Sequence, residues 1–282
     1  MIKELRANYS VRLLCQVLEV ARSGYHRWSR GPASTGAVAN EQLVKQIKAI
    51  YQAKRGNYGS PRITQELRQR GQNCNHKRVE RLMRQEGLKG SRAKQKKVRT
   101  TDSEHDQPIA PNLLLNRPAP GKIDEVWVAD ITYIPTTQGW LYLAAIMDLY
   151  SRLILGWSLW ESLHAAGALR ALSQALTQRG YPRGVIHHSD RGLQYACGQY
   201  RQQLRRYGFL ASMSRRGNCY DNAAMEAFWS TLKREALEDS AHWSKEQVRR
   251  VIFEYIESIY NRSRLHSSLE YQSPVDFEHQ QN

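Results

Sequence analysis

Three acidic residues in the second half of the chain have the types and spacing of a divalent-metal site. Asp130 lies in VWVADITYI, Asp190 in HHSDRGLQY and Glu226 in NCYDNAAMEAFWSTLKRE, with 35 residues between the last two. Carboxylates drawn together repel one another, and a bound divalent cation removes that penalty. Oxygen ligands without cysteine favour magnesium or manganese over zinc. Two such ions, roughly 3.5–4 Å apart, can cut and join a phosphodiester backbone.

Two further residues follow Glu226 on the helix that the composition predicts. Lys233 comes seven residues later, on the same helix face and about 10.5 Å along the axis, so we expect it to hold a DNA phosphate beside the metals. Trp229 comes three residues after Glu226. It could buttress the site, stack on a displaced base, or pack in the core.

Other polar residues near the motifs are given structural interpretations. For His187 and His188, directly before Asp190, we favour a structural hydrogen bond, with a metal or phosphate contact as the alternative. Asp148 is interpreted as a turn residue, and Asp221 as the N-cap of the helix that carries Glu226. Glu235, nine residues after Glu226, is expected to be solvated.

The excess positive charge is concentrated in one third of the chain. The net charge is +16; residues 1–100 carry 23 Lys/Arg against 6 Asp/Glu, and residues 101–282 carry 19 against 20. A basic arm of this kind indicates a polyanionic partner, here double-stranded DNA. A merely basic protein would spread the charge evenly.

The remaining composition excludes several classes of protein. No apolar run approaches the roughly 20 residues of a membrane span, and no signal-peptide block begins the chain. The four cysteines form no C-x-x-C pair, which argues against structural zinc. These features predict a soluble cytoplasmic protein with reduced thiols.

Residues 1–90 are predicted to be a helical DNA-binding region of helix-turn-helix type. One weak candidate spans residues 9–28. A stronger one comprises helix 41–53, a turn before Pro61, helix 61–70 ending at Gly71, and a last helix closed by Gly87. That last helix is amphipathic, with an apolar side opposite a basic side that we expect to contact DNA, formed by Lys77, Arg78, Arg81 and Arg84.

Residues 91–120 are predicted to be a linker, because a basic run passes into an acidic patch and then a proline-rich segment. From residue 121 the pattern changes. Three antiparallel strands precede helix 162–178, the strand GVIHHS, a helix near 197–207 and the strand LASMS. The Glu226 helix and a tail helix capped by Ser244 and Gln247 follow. The order predicts an α/β catalytic core of RNase-H-like, integrase type over residues 121–282.

The ordered motifs closely resemble those of one transposase family. VWVADITYIPTTQGWLYLAAIMDLYSR, HHSDRGLQY, RRGNCYDNAAMEAFWSTLKRE and YNRSRLHSSLEYQSP are similar to the integrase-type core and tail of the OrfB transposases of the third large insertion-sequence family of bacteria (IS-three). YGSPRIT and the helices after it resemble that family's helix-turn-helix module. The resemblance covers nearly the whole chain.

The resemblance implies that Asp130, Asp190 and Glu226 form a D-D-35-E triad, with Lys233 as the basic residue after it. It implies a magnesium-dependent transposase that acts on terminal inverted repeats and target DNA: water frees a 3′-hydroxyl at an element end, and that hydroxyl attacks another phosphodiester. It also implies an upstream OrfA partner or an OrfA–OrfB fusion, assembly as a homo-oligomer on DNA, and association with the bacterial nucleoid. Two alternatives stay open, a DNA-binding regulator with an idle nuclease core and an RNase-H-type nuclease without strand transfer.

Overall fold

The computed structural model describes residues 1–29, 35–91, 106–215 and 222–281, and these divide into two units, Met1–Gly90 and Ser91–Asn282. Asp221 and Cys219 lie outside the described residues, as does the basic run at 92–99. Within the described residues, no helix is long and apolar enough to cross a membrane.

The described part of the first unit is helical. Its helices are α1 (Ile2–Leu5), α2 (Val11–Val17), α3 (Arg22–Ser29), α4 (Thr35–Ala53), α5 (Ser60–Gln69) and α6 (His76–Gln85). α5 has Pro61 in its first turn, where the missing N–H leaves no hydrogen bond unmade. α6 begins where the Asn75 side chain accepts the backbone N–H of Lys77 at 2.8 Å. The predicted helix-turn-helix pattern is therefore present, although α4 begins six residues earlier than expected.

The second unit is built on one mixed sheet. Its elements are β1 (Val126–Thr136), β2 (Gly139–Asp148), β3 (Ile154–Trp160), α7 (Ala165–Gln178), β4 (Ile186–Ser189), α8 (Leu193–Ala196), α9 (Gly198–Arg206), β5 (Leu210–Met213), α10 (Ala223–Glu235), α11 (Lys245–Glu254) and α12 (Pro274–Gln281). The strand order is β3-β2-β1-β4-β5. The pairs β3–β2 and β2–β1 are antiparallel, whereas β4 and β5 run parallel to β1. The expected α/β architecture is confirmed.

Helices cover both faces of the sheet. Because side chains alternate along β1, each one points towards the helices on one face or on the other. Trp127 and Ala129 point into the core shared with α7 and α9, whereas Val126 and Val128 point into the core shared with α10 and α11. Because successive side chains of a strand face opposite ways, Asp130 lies on the α10 side.

Two glycines let β3 and α7 approach closely. A Cβ on Gly156 would lie 2.7 Å from the Ala175 backbone N, and one on Gly167 would lie 2.8 Å from the Trp160 ring. The Ser158 hydroxyl also donates to the Gly167 carbonyl at 2.5 Å. This contact fixes α7 against one face of the sheet.

The segment at 106–120 contains no helix or strand, but it packs against the core of the second unit, to which it belongs. Leu113 N–H donates to the Ser212 hydroxyl at 2.9 Å, and Leu113 and Leu114 pack against the core. This part of the predicted linker is therefore packed into the second unit.

The C-terminal tail is bound to the core by buried polar contacts. The capping box of Ser244 and Gln247 is present at the start of α11, as predicted. The expectation that Glu235 is solvated is wrong: its side chain is 2% exposed and pairs with Arg264 at 2.8 Å. The Tyr255 hydroxyl donates to the same carboxylate at 2.8 Å. A buried carboxylate requires such partners, and they come from a segment 20 and more residues further on.

Candidate active site

Asp130 is placed near the middle of β1, the central strand, on the face covered by α10. One of its carboxylate oxygens, Oδ2, accepts the indole N–H of Trp229 at 2.8 Å. Burial is the largest cause that raises the pKa of Asp130 to about 7, and the charges of Asp190 and Glu226 act in the same direction. The hydrogen bonds from Trp229 and from the Ile131 backbone lower it. All three predicted acidic residues therefore interact electrostatically at this point of the sheet.

Asp190 directly follows β4, the strand that runs parallel to β1. Val126 pairs with Ile186 and Val128 with His188 in the ladder, so each aspartate comes two residues after the last pair. The charge of Asp190 acts on Asp130. The Asp190 Oδ1 atom accepts the Gly192 N–H at 2.9 Å. A Cβ on Gly192 would lie 3.0 Å from that same oxygen, so a side chain there would push the carboxylate aside.

Glu226 is exposed and lies in the first turn of α10. The start of this helix is attached to β1 by Asn222, whose side-chain N–H donates to the Ala129 carbonyl at 3.2 Å. Ala129 directly precedes Asp130, so this bond holds the beginning of the Glu226 helix next to the first aspartate.

The three carboxylates are near one another but do not form a closed set of metal ligands. In the described ranges, no group of three His, Cys, Asp or Glu side chains is close enough to hold a metal ion. Their chemistry nevertheless suits a hard divalent cation, because they are oxygen donors and because their mutual repulsion raises the pKa of Asp130. The donor types of these residues therefore fit a hard divalent cation such as magnesium.

Lys233 on α10 is exposed as a whole residue. Burial of its ammonium group lowers the pKa of Lys233, and the charge of Asp130 acts in the opposite direction. The expected contact of Lys233 with a DNA phosphate stays a prediction.

The other residues near the motifs are structural. His187 is 1% exposed and its Nε2 atom lies 2.9 Å from the Tyr200 hydroxyl; burial lowers its pKa to about 3, so the ring is neutral. His188 is fully buried between the hydroxyls of Ser212 and Ser214. The preferred interpretation of both histidines is confirmed.

Trp229 and Asp148 also have clear positions. Trp229 is 6% exposed, so it buttresses the site and packs in the core, and it is not available to stack on a base. Asp148 is fully buried and caps a turn by accepting the backbone N–H groups of Tyr150 and Ser151.

Sequence reasoning missed Gly192 and Asn222. The D-x-G order in HHSDRGLQY is a signal for an aspartate that accepts the backbone N–H two residues later, and it could have revealed Gly192. No comparable signal exists for Asn222, since its partner Ala129 is 93 residues away.

The basic face predicted on α6 is only partly open. Val79, Leu82 and Met83 are buried, and Lys77, Arg81 and Arg84 are exposed. Arg84 pairs with Glu80 at 3.1 Å one turn earlier.

Arg78 differs from its neighbours. It is half-buried and donates to the Asn40 side chain of α4 at 2.9 Å, so its role within the structure is to connect two helices.

Family models match most of the chain. A model described as an HTH-like domain matches residues 39–96, and two described as integrase core domains match residues 121–219 and 207–274. Among solved structures, a simian T-cell lymphotropic virus intasome in complex with PP2A regulatory subunit B56 gamma aligns with a TM-score of 0.47 and 12% identity, covering 83% of this chain and 74% of that chain. The HTLV-2 integrase catalytic core domain in complex with magnesium aligns with a TM-score of 0.42 and 13% identity, covering 55% and 95%.

Relatives of known sequence cover nearly the full length. The insertion element IS600 uncharacterized 31 kDa protein of Shigella sonnei is 42% identical over 264 residues, which is 94% of this chain and 97% of that protein. Transposase InsF for insertion sequence IS3A of Escherichia coli (strain K12) is 39% identical over 279 residues, which is 98% of this chain and 96% of that protein. The chain therefore belongs to the IS3-type family of insertion-sequence transposases and has an HTH-like region followed by an integrase catalytic core.

Proposed function

We propose that this chain is a DNA transposase that cleaves DNA at the ends of an insertion sequence and transfers the resulting 3′-hydroxyl into a second phosphodiester. The observation that supports this proposal is the electrostatic effect of both Asp190 and Glu226 on Asp130, together with the parallel pairing of β1 and β4, whose last pair, Val128 and His188, precedes each aspartate by two residues. An acidic triad on an integrase core is suited to phosphodiester displacement.

Asp130, Asp190 and Glu226 would hold the metal ions in this site. Two magnesium or manganese ions, when bound, would activate the attacking oxygen and stabilise the leaving one. Lys233 would contact a phosphate of the DNA end, since it lies on the helix that carries Glu226 and its charge interacts with Asp130.

The reaction has two steps of the same type. In the first, water attacks the phosphodiester at the element end, a P–O bond breaks, and the 3′-hydroxyl is released. In the second, that hydroxyl attacks a phosphorus of another DNA segment, a new P–O bond joins the two, and the bond that breaks leaves a 3′-hydroxyl on the cut target strand. The same three carboxylates would serve both steps, because the bond made and the bond broken are equivalent.

DNA binding is assigned to the helical unit. Lys77, Arg81 and Arg84 are exposed on α6, and residues 1–100, with 23 Lys/Arg against 6 Asp/Glu, carry all of the excess charge. The family also suggests that an upstream OrfA product, or an OrfA–OrfB fusion, is a partner. We further propose that the protein assembles as a homo-oligomer on DNA and associates with the nucleoid.

A strand-transfer assay tests the proposal against its alternatives. A DNA end already carrying a free 3′-hydroxyl is incubated with target DNA, and an uncut end is assayed in parallel, each with magnesium and with excess chelator. We expect cutting and joining only with magnesium. A nuclease without strand transfer would cut and not join, a regulator would do neither, and joining in excess chelator would overturn the metal mechanism.

A further inference from the structure

The indole of Trp229 makes a directional contact with the candidate metal site. Its Nε1–H donates to Asp130 Oδ2 at 2.8 Å, between residues 99 positions apart. The ring itself is 6% exposed and packs against Phe228, with ring centroids 4.8 Å apart. The ring is thus held by the core while its one polar atom reaches the carboxylate.

The position of Trp229 on α10 explains how its ring can pack in the core while its N–H reaches the carboxylate. Met225, Phe228 and Leu232 are buried on this helix, whereas Glu226 and Lys233 are exposed. Trp229 is three residues from Glu226 and four from Lys233, so it lies on their side of the helix, at the border with the buried stripe. The bond to Asp130 therefore links the strand that carries one carboxylate to the helix that carries another.

The hydrogen bond from Trp229 restricts the rotation of the Asp130 carboxylate, to which the Ile131 backbone also donates. With Oδ2 bound to the indole, fewer directions are open to the other oxygen. Partners of metal ligands commonly act in this way, and their loss lowers metal affinity about 10- to 100-fold.

Resting on the proposed function, we propose that Trp229 is a positioning residue for the metal site: its indole N–H orients Asp130 and holds α10 against β1, so that the three carboxylates meet around the ions. The predicted effect is on metal affinity rather than on folding.

The test uses the full chain and compares Trp229→Phe with Trp157→Phe. Both changes remove an indole N–H that donates to a carboxylate at 2.8 Å, and the second, to Glu257, lies outside the site. Because Trp229→Phe also reduces ring volume, a third protein carries benzothienylalanine at 229, which keeps the shape and replaces N–H by sulfur. The magnesium needed for half-maximal strand transfer is measured for each, with the magnesium-dependent rise in Tm without DNA as a second readout.

We expect both changes at Trp229 to raise the half-maximal magnesium concentration by about tenfold or more and to shift the Tm titration equally, with most of the rate regained at high magnesium. Trp157→Phe should match wild type. An unshifted benzothienylalanine protein would overturn the inference, because packing alone would then explain Trp229. Asp130→Asn is measured alongside to separate the two claims. If this variant loses joining while the Trp229 variants behave like wild type, the proposed function stands and only the Trp229 inference fails. If Asp130→Asn joins DNA like wild type, both are wrong.

Discussion

At the scale of single residues, the site depends on hydrogen bonds that hold the carboxylates. Asp190 accepts the backbone N–H of Gly192 at 2.9 Å, and Asp130 accepts the indole N–H of Trp229 at 2.8 Å. These bonds restrict the orientation of each carboxylate, and the parallel pairing of β1 with β4 ends two residues before each of them.

Gly192→Ala should therefore lower activity without unfolding the protein. The added Cβ would lie 3.0 Å from Asp190 Oδ1 and 2.9 Å from the Gln194 side chain, so the carboxylate must move by a few tenths of an ångström. We expect strand transfer to fall about tenfold or more with little change in Tm. Gly198→Ala is the matched control, because a Cβ there meets nothing within 4 Å. Equal rates for the two variants would contradict this account.

Asp130 should make the stability of the metal-free protein depend on pH. Its pKa is raised from 3.8 to about 7, so the folded state binds the proton more tightly than the unfolded state does. The free energy of unfolding therefore falls as the pH rises from about 4 to about 7, where the carboxylate is forced to ionise.

Asp130→Asn cannot ionise and so lacks the cost of the buried charge. In chelator, its Tm should exceed that of wild type by an amount that grows between about pH 4 and pH 7 and is constant at higher pH. Thermal unfolding at pH 4, 6 and 8 measures the difference. A difference independent of pH would show that Asp130 is not destabilised by its surroundings.

At the scale of secondary-structure elements, the sequence predicts the parts of the fold that follow from local patterns. The alternation in VWVADITYI, the glycine-bounded helices of the first unit and the Ser244–Gln247 capping box all appear as expected. Each of these depends on residues within one or two turns of one another, which a single sequence displays.

What the sequence did not predict depends on contacts between distant elements. Glu235 pairs with its neighbour Arg234 at 3.3 Å, but its shorter, two-bond ion pair comes from Arg264, 29 residues on. The exposure of Arg78 was overestimated because its acceptor, Asn40, lies on another helix. The triad itself was identified from motif context, whereas its register and the Trp229 bond required the strand pairing.

Packing between β3 and α7 gives a prediction about stability. Gly156→Ala would place a Cβ 2.7 Å from the Ala175 backbone N and 3.1 Å from the Gln174 side chain, so α7 must move away from the sheet. Overpacking of this kind costs about 1–3 kcal/mol, and we expect a lower urea midpoint. Gly121→Ala, where a Cβ meets nothing within 4 Å, should leave the midpoint unchanged. If the two variants unfold at the same urea concentration, the close approach is not a constraint.

At the scale of the whole molecule, the part of the chain proposed to bind DNA is strongly basic, whereas the part that carries the acidic triad is nearly neutral. Residues 1–100 hold 23 Lys/Arg against 6 Asp/Glu, and residues 101–282 hold 19 against 20. Affinity for duplex DNA that comes from phosphate contacts falls with salt, by about 0.9 in log–log slope for each phosphate neutralised.

Reversal of Lys77, Arg81 and Arg84 to Glu in the full chain should weaken binding to duplex DNA and make its salt slope shallower by about 2.7 if each contacts one phosphate. The charge-matched control reverses three exposed arginines of the second unit, Arg183, Arg205 and Arg206, and should change the slope less. Binding titrations at several salt concentrations give both slopes. A larger effect from the control would move the DNA-binding surface away from α6.

The central claim is that Asp130, Asp190 and Glu226 act together as the metal-holding triad of a transposase. The most direct measurement is the strand-transfer rate of Asp190→Asn with a pre-cut element end and saturating magnesium, beside Asp239→Asn, an exposed aspartate outside the site. We expect Asp190→Asn to lose about two orders of magnitude or more while its Tm stays near or above that of wild type, and Asp239→Asn to join at the wild-type rate. A folded Asp190→Asn protein that joins DNA as fast as wild type would contradict the account.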